Sequence, residues 1–212
     1  KHSKKLFSNK IHLSKNFISP ILVNVEKIIE AKNLTKIYGE DGTSVTALNQ
    51  VNLDFYENKF TAIMGQSGSG KSTLLHCLAG LDKVTSGSII VKGLDLGKLN
   101  DKELTKIRRD SFGFVFQAFN LIPTLTAEEN ITLPSSIAGR KPDEEWINQI
   151  VNAVDIGDRL NHRPNELSGG QQQRVAAARA MATKPEVIFA DEPSGNLDSK
   201  SSKELLTFMK SV

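Results

Sequence analysis

The chain is poor in cysteine and has no long apolar run. Its single thiol, Cys77, can form no disulfide within the chain, a usage that fits a reducing compartment. Cys77 lies in a helical pattern and reads as a small core residue. No segment approaches the roughly 20 apolar residues of a spanning helix, so a membrane role is expected to come through a partner. A continuous apolar stretch ahead of a small-residue cleavage site is missing too, so nothing reads as a signal peptide. There is no internal repeat and no low-complexity tract. Nor is there a strong charge of one sign, because the net +3 is an average of two unlike parts. Residues 1–27 carry six lysines against one glutamate, a net +5, which leaves −2 on the rest. The mildly acidic remainder gives no argument for a nucleic-acid partner, and none is expected. The basic leader lacks clean periodicity and an initiating Met, and reads as a disordered or non-native segment rather than a membrane-surface arm.

What is present is a chain of 212 residues, 39% hydrophobic, long enough for one large or two small domains. Its pivot is FTAIMGQSGSGKSTLLHCLAG at 60–80. Residues 60–64 read as a buried strand. Gly65-Gln66-Ser67-Gly68-Ser69-Gly70-Lys71-Ser72 matches the G-x-x-x-x-G-K-[ST] phosphate loop, and a helical pattern begins at Ser72 with Leu74, Leu75 and Leu78 on one face. Consecutive backbone N–H groups and a helix N-terminus offer positive potential to a triphosphate. Glycines let the main chain wrap the phosphates and take φ > 0. Lys71 is expected on the β- and γ-phosphates of ATP, the Ser72 hydroxyl on Mg²⁺ and Thr73 on the α-phosphate.

Around the pivot, residues 28–34, 51–56 and 88–92 read as strands of a small antiparallel sheet, with turn chemistry at 38–42. Residues 101–109 read as a helix and 112–116 as a strand that leads to Gln117 and the apolar loop 119–123. Thr126-Ala127-Glu128-Glu129 reads as a capping box opening a helix, and 143–154 as another helix, with Trp146 as a packing residue. The stretch 99–165 is expected to be a helical insertion. Residues 187–190 form an apolar strand ending in Asp191-Glu192. Carboxylates at the carboxyl end of a buried parallel strand face the ligand crevice. Asp191 is therefore the expected Mg²⁺ partner, and Glu192 the candidate general base for the attacking water. Leu167-Ser168-Gly169-Gly170-Gln171 makes a second glycine loop, ahead of a helix at 172–182. One chain with one nucleotide has little use for two anion sites. The second is expected to cap the γ-phosphate of a nucleotide held by a neighbouring subunit.

These motifs, in this order, resemble the nucleotide-binding domain of an ABC ATPase from about residue 28 to 212. They are the phosphate loop, Gln117 after its strand, LSGGQ at 167–171, the acidic strand end at 189–192 and Ser194-Gly195-Asn196-Leu197-Asp198. The resemblance implies an α/β fold, a RecA-like P-loop NTPase core with an antiparallel β-subdomain and a helical subdomain. It implies that Tyr38 stacks on adenine and that Gln117 contacts Mg²⁺ and the water and senses a membrane partner. Ser168 to Gln171, with Ser168 and Gly170 on the γ-phosphate, and Asp198 would lie at a head-to-tail homodimer interface. The blocks 80–87, 108–110, 113–117, 119–123 and 192–198 are similar to the branch of lipoprotein-releasing and macrolide or antimicrobial-peptide export ATPases. That branch implies a transmembrane permease partner and a peripheral place on the cytoplasmic face of the inner membrane. The apolar loop 119–122 is the candidate for part of the permease-docking groove, with an internal packing loop as the alternative. The family's switch histidine lies beyond the catalytic glutamate, and here no histidine follows Glu192. The natural chain is therefore expected to be longer, and residues 1–212 alone to have impaired activity. Two rival readings remain, a soluble mechanical ABC ATPase of DNA repair or translation and a small-molecule kinase. Lys71 and Asp191 are 120 residues apart with no coiled-coil or zinc-bearing insertion between them, against the first, and LSGGQ has no purpose in the second.

Overall fold

The computed structural model describes residues 12–13, 26–39 and 42–193, and then 202–203, 206–207 and 209–210, which are helical. The chain divides into two compact units, Lys1–Asn100 and Asp101–Val212. The first contains β1 (His12–Leu13), β2 (Lys27–Tyr38), β3 (Val45–Tyr56), β4 (Ile63–Met64), α1 (Lys71–Leu78), β5 (Ser86–Val91) and β6 (Leu94–Asp95). The second contains α2 (Asp101–Ser111), β7 (Phe112–Val115), α3 (Ala127–Ile137), α4 (Glu144–Ala153), α5 (Gly169–Met181) and β8 (Val187–Ala190).

In the first unit, β3, β2, β5 and β6 form an antiparallel sheet in that order. Alternation explains β3: Val51, Leu53 and Phe55 are partly covered while Asn52, Asp54 and Tyr56 face solvent. On β2, Ile28, Ile29, Ala31 and Leu34 are buried, and register shifts at 27–29 and 31–34 break the strict period of two. The turn between β2 and β3 has Gly39 and Gly42 at φ 81° and 91°. Helix α1 buries Leu74, Cys77 and Leu78, and burial pushes the Cys77 thiol up to about 11, as a core cysteine requires.

One expectation fails here. Of residues 60–64 only Ile63–Met64 is a strand, paired antiparallel with β1, and Phe60 and Met64 are 49% and 59% exposed. A phosphate-loop strand is buried only when neighbouring strands and helices cover both its faces. Among the described residues of this unit, β4 has a single two-residue strand beside it. Of the leader, residues 1–11 and 14–25 lie outside the described residues, and Lys27 already begins β2.

In the second unit, β7 and β8 pair in parallel, Phe112 opposite Val187 and Val115 opposite Ala190. Phe112 meets Phe189 edge-on at 5.1 Å, and Phe114 stacks on Phe189 at 5.8 Å. Apolar faces of α3, α4 and α5 close a common core from Ile131, Ile150, Val151, Val175 and Met181. Trp146 packs against it, with Nε1 donating to the Met181 carbonyl at 2.9 Å. Thr126 and Glu129 form the reciprocal capping box of α3, a device that stabilises a helix by about 1 kcal/mol. Alanines at 176–178 and 180 make α5 slim. A Cβ on Gly113 would stand 2.1 Å from the Ala180 carbonyl oxygen, so glycine there lets α5 lie directly on β7.

Candidate functional site

In the first unit the phosphate loop joins β4 to α1. Gly68 and Gly70 take φ of 75° and 89°, and the helix starts at Lys71 rather than Ser72. Gly70 is in the left-handed region and has Ala47 beneath it, where a Cβ would come within 2.5 Å of the carbonyl oxygen. The Lys71 ammonium donates to the carbonyls of Gly65 (3.0 Å) and Gln66 (2.8 Å), so the cation sits over the loop's own main chain. Ser69 N–H donates to Gln66 O at 3.2 Å, while Ser69 Oγ is buried without a hydrogen-bond partner. A loop that concentrates N–H groups, an ammonium and an orphan hydroxyl is built for an anion.

Tyr38, 42% exposed, ends β2 in the same unit. Its hydroxyl donates to Asp82 Oδ2 at 2.6 Å, and the Lys36 ammonium lies 4.6 Å from its ring centroid. The hydrogen bond to Asp82, then burial, raises the Tyr38 hydroxyl above its ordinary value, and the bond to Asp82 raises Lys36 as well. Burial alone would raise the Asp82 carboxyl, but the bonds from Lys36 and Tyr38 outweigh it and hold the group low. The sequence singled out Tyr38 but neither partner.

In the second unit the parallel pairing brings the ends of β7 and β8 together. Asp191 N–H donates to Val115 O at 2.9 Å, so Gln117, two residues past β7, and Asp191-Glu192 leave the sheet at the same edge. That edge is the carboxyl end, where open parallel sheets bind ligands. Glu192 takes φ 47°, an unusual backbone for a side-chain-bearing residue and one that often marks a functional turn.

Of the expected glycine loop at 167–171, Gly169, Gly170 and Gln171 form the first turn of α5. Ser168 is its N-cap, because Ser168 and Gln171 close a capping box: Gln171 N–H donates to Ser168 Oγ (3.3 Å) and Ser168 N–H to Gln171 Oε1 (2.9 Å). The Ser168 oxygen accepts in that box, which leaves its proton for an anion beside the open N–H groups of the turn. At the other end of α5, Arg179 donates to the carbonyls of Phe119 (2.7 Å) and Asn120 (2.6 Å). Both of those residues have positive φ, 58° and 51°. Burial holds the Arg179 guanidinium below its ordinary value. Buried Asn130 grips the same loop through Ile122 N–H and the carbonyls of Ile122, Leu125 and Thr126. Leu121 packs against the helical core, whereas Ile122 is 39% exposed. The loop read as a docking surface is thus partly an internal one, and neither Arg179 nor Asn130 was legible as its anchor. Asp198 and the rest of 194–198 lie outside the described residues.

The match to known proteins follows this geometry. Residues 48–195 match the family model described as "ABC transporter". The macrolide export ATP-binding/permease protein MacB of Marinobacter nauticus is 45% identical over 184 residues, which cover 86% of this chain and 29% of that protein. The bacitracin export ATP-binding protein BceA of Halalkalibacterium halodurans is 45% identical over 181 residues, 84% of this chain and 72% of that one. Among solved structures, a dimer of MJ0796, an ABC transporter cassette, superposes with a TM-score of 0.79 at 46% identity. It spans 85% of this chain and 81% of that one. A post-hydrolysis state of MJ0796 with ADP and Pi superposes equally well, at 0.79. The chain belongs to the ABC transporter family. It is an ATP-binding cassette of the P-loop NTPase fold and an ATPase, and the family match favours the membrane-transporter reading over the soluble one.

Proposed function

We propose that the chain is the ATP-hydrolysing subunit of an export transporter. It would work as a head-to-tail homodimer on a transmembrane permease, at the cytoplasmic face of the inner membrane. The exporters among its relatives support this reading. The observation that carries the chemistry is the loop 65–72, with two left-handed glycines, an orphan hydroxyl and an ammonium on the first residue of a helix.

In this reading Gly65, Gln66, Ser67, Gly68, Ser69 and Gly70 cradle the phosphates through main-chain N–H groups. Lys71 exchanges the carbonyls of Gly65 and Gln66 for phosphate oxygens, and Thr73 meets the α-phosphate. Tyr38 stacks on the base. Glu192 accepts a proton from the attacking water, and Gln117 orients that water and reports to the permease. Ser168, Gly169, Gly170 and Gln171 of one copy present their helix end to the γ-phosphate on the other, with Asp198 at the seam. In this reading the hydroxyl of Ser72, the amide oxygen of Gln117 and the carboxylate of Asp191, all hard oxygen donors, would hold Mg²⁺. When bound, that ion neutralises charge on the β- and γ-phosphates.

The test compares wild type, Lys71→Ala and Glu192→Gln in the full-length protein, with and without its permease. Both variants are expected to lose turnover by about a hundredfold or more, and only Glu192→Gln should still retain ATP. Wild-type turnover in Glu192→Gln would overturn the assignment of the base. Failure of the wild type to associate with any permease would overturn the transport role.

A further inference from the structure

Lys36 and Asp82, to which the nucleotide chemistry above gives no role, form a polar cluster with Tyr38. Asp82 spends both carboxylate oxygens inward. Oδ2 accepts from the Tyr38 hydroxyl and Oδ1 from the Lys36 ammonium, each at 2.6 Å. The ammonium also donates to Lys83 O at 2.8 Å and stands over the Tyr38 ring. Lys36 and Asp82 are only 12% and 30% exposed in their side chains, yet Tyr38 keeps 42% of its surface. The segment that carries Asp82 is sewn to β2 at two further points: Thr85 N–H donates to Thr35 O (2.9 Å), and Ile37 N–H to Thr85 Oγ1 (3.0 Å).

A tyrosine at a strand end can swing about two torsions, and ordering it costs entropy when a ligand arrives. Here its tip is bonded to Asp82 and one of its faces is covered by a cation, which leaves a single face in a fixed plane. Across the hairpin its register partner is Val45, 62% exposed, an apolar neighbour for a flat ligand.

We propose that Asp82 and Lys36 are positioning residues that set the plane of the Tyr38 ring for the nucleobase, and so help the cassette distinguish a nucleoside triphosphate from a bare triphosphate. The proposal rests on the reading of Tyr38 as the base-stacking residue. It separates from that reading at one substitution. Tyr38→Phe keeps the stacking ring and loses the anchor.

The full-length protein is titrated with ATP and with tripolyphosphate, both with Mg²⁺. The set is wild type, Tyr38→Phe, Asp82→Asn, the double variant, Lys36→Met and Tyr38→Ala. Tyr38→Phe and Asp82→Asn should each weaken ATP binding about five- to tenfold and leave tripolyphosphate within about twofold. The double variant should be no weaker than the weaker single one, because both remove the same bond. Lys36→Met should shift ATP binding in the same direction. ATP affinity unchanged in Tyr38→Phe would overturn the proposal, as would ATP and tripolyphosphate affinities falling together or additive losses in the double variant. If Tyr38→Ala binds ATP as wild type does, Tyr38 itself makes no base contact, and the underlying reading fails with the proposal.

Discussion

Gly70→Ala should damage this cassette far more than Gly68→Ala, although both glycines lie in one loop with φ above zero. At Gly70 the backbone sits at φ 89° and ψ 11°, which costs an L-residue roughly 1–2 kcal/mol. The added Cβ would also stand 2.5 Å from the Ala47 carbonyl oxygen and 3.4 Å from Leu48 Cδ2. Cβ and carbonyl are both fixed to main chain, so no rotamer relieves the clash, and either the loop or β3 has to move. Overpacking of that kind costs roughly 1–3 kcal/mol more. The sum, about 2–5 kcal/mol, is a large part of the 5–15 kcal/mol that typically holds a domain together. Gly68 has φ 75° but nothing within 4 Å of a built Cβ, so only the conformational cost of about 1–2 kcal/mol applies. Urea unfolding followed by circular dichroism gives the stability difference, and ATP titration of the folded variants gives the functional one. Gly70→Ala should have the lower midpoint and at least tenfold weaker ATP binding. Equal midpoints for the two variants would refute the claim that Ala47 limits the loop.

Two other predictions follow from the second unit. Leu121→Glu places a charge against the helical core and should cost about 2–4 kcal/mol, while Ile122→Glu should stay within about 1 kcal/mol of wild type. Ile122→Glu is therefore the usable probe of docking, expected to spare ATP hydrolysis and uncouple transport in permease vesicles. Equal stability for the two would refute the packing argument. Asp110 is held below the usual carboxylate range by its bond with Arg109, against burial, with Arg140 adding attraction. A depressed folded value means that the stabilisation is complete above the unfolded value near 3.9 and is lost as pH falls through the folded one. Asp110→Asn should thus flatten the fall of the urea midpoint below about pH 4, and an unchanged slope would remove that role.

What the sequence disclosed was what short spacing encodes. Glycines around a Lys-Ser pair, the T-x-x-E box at Thr126 and the apolar run into Asp191 each depend on neighbours a few residues away, and each forms. The S-x-x-Q box at Ser168 carries the same signal. Read as a cap, it would have started α5 at Gly169 instead of leaving 169–171 in a loop. Contacts across long separations were not legible. Asp82 reaches Tyr38 across 44 residues, and Arg179 reaches Phe119 across 60. Nothing local marks a carboxylate or guanidinium as a strut. Exposure of Phe60 and Met64 was missed for the same reason: apolar composition states a preference for cover, and only neighbouring elements supply it.

Two anion sites in one chain, the loop at Lys71 and the helix end at Ser168, have a joint purpose if a second copy completes each. Light scattering after size exclusion of full-length Glu192→Gln, with saturating ATP or ADP, reads this out. The reading requires a dimer with ATP and a monomer with ADP. A monomer under both conditions would contradict it.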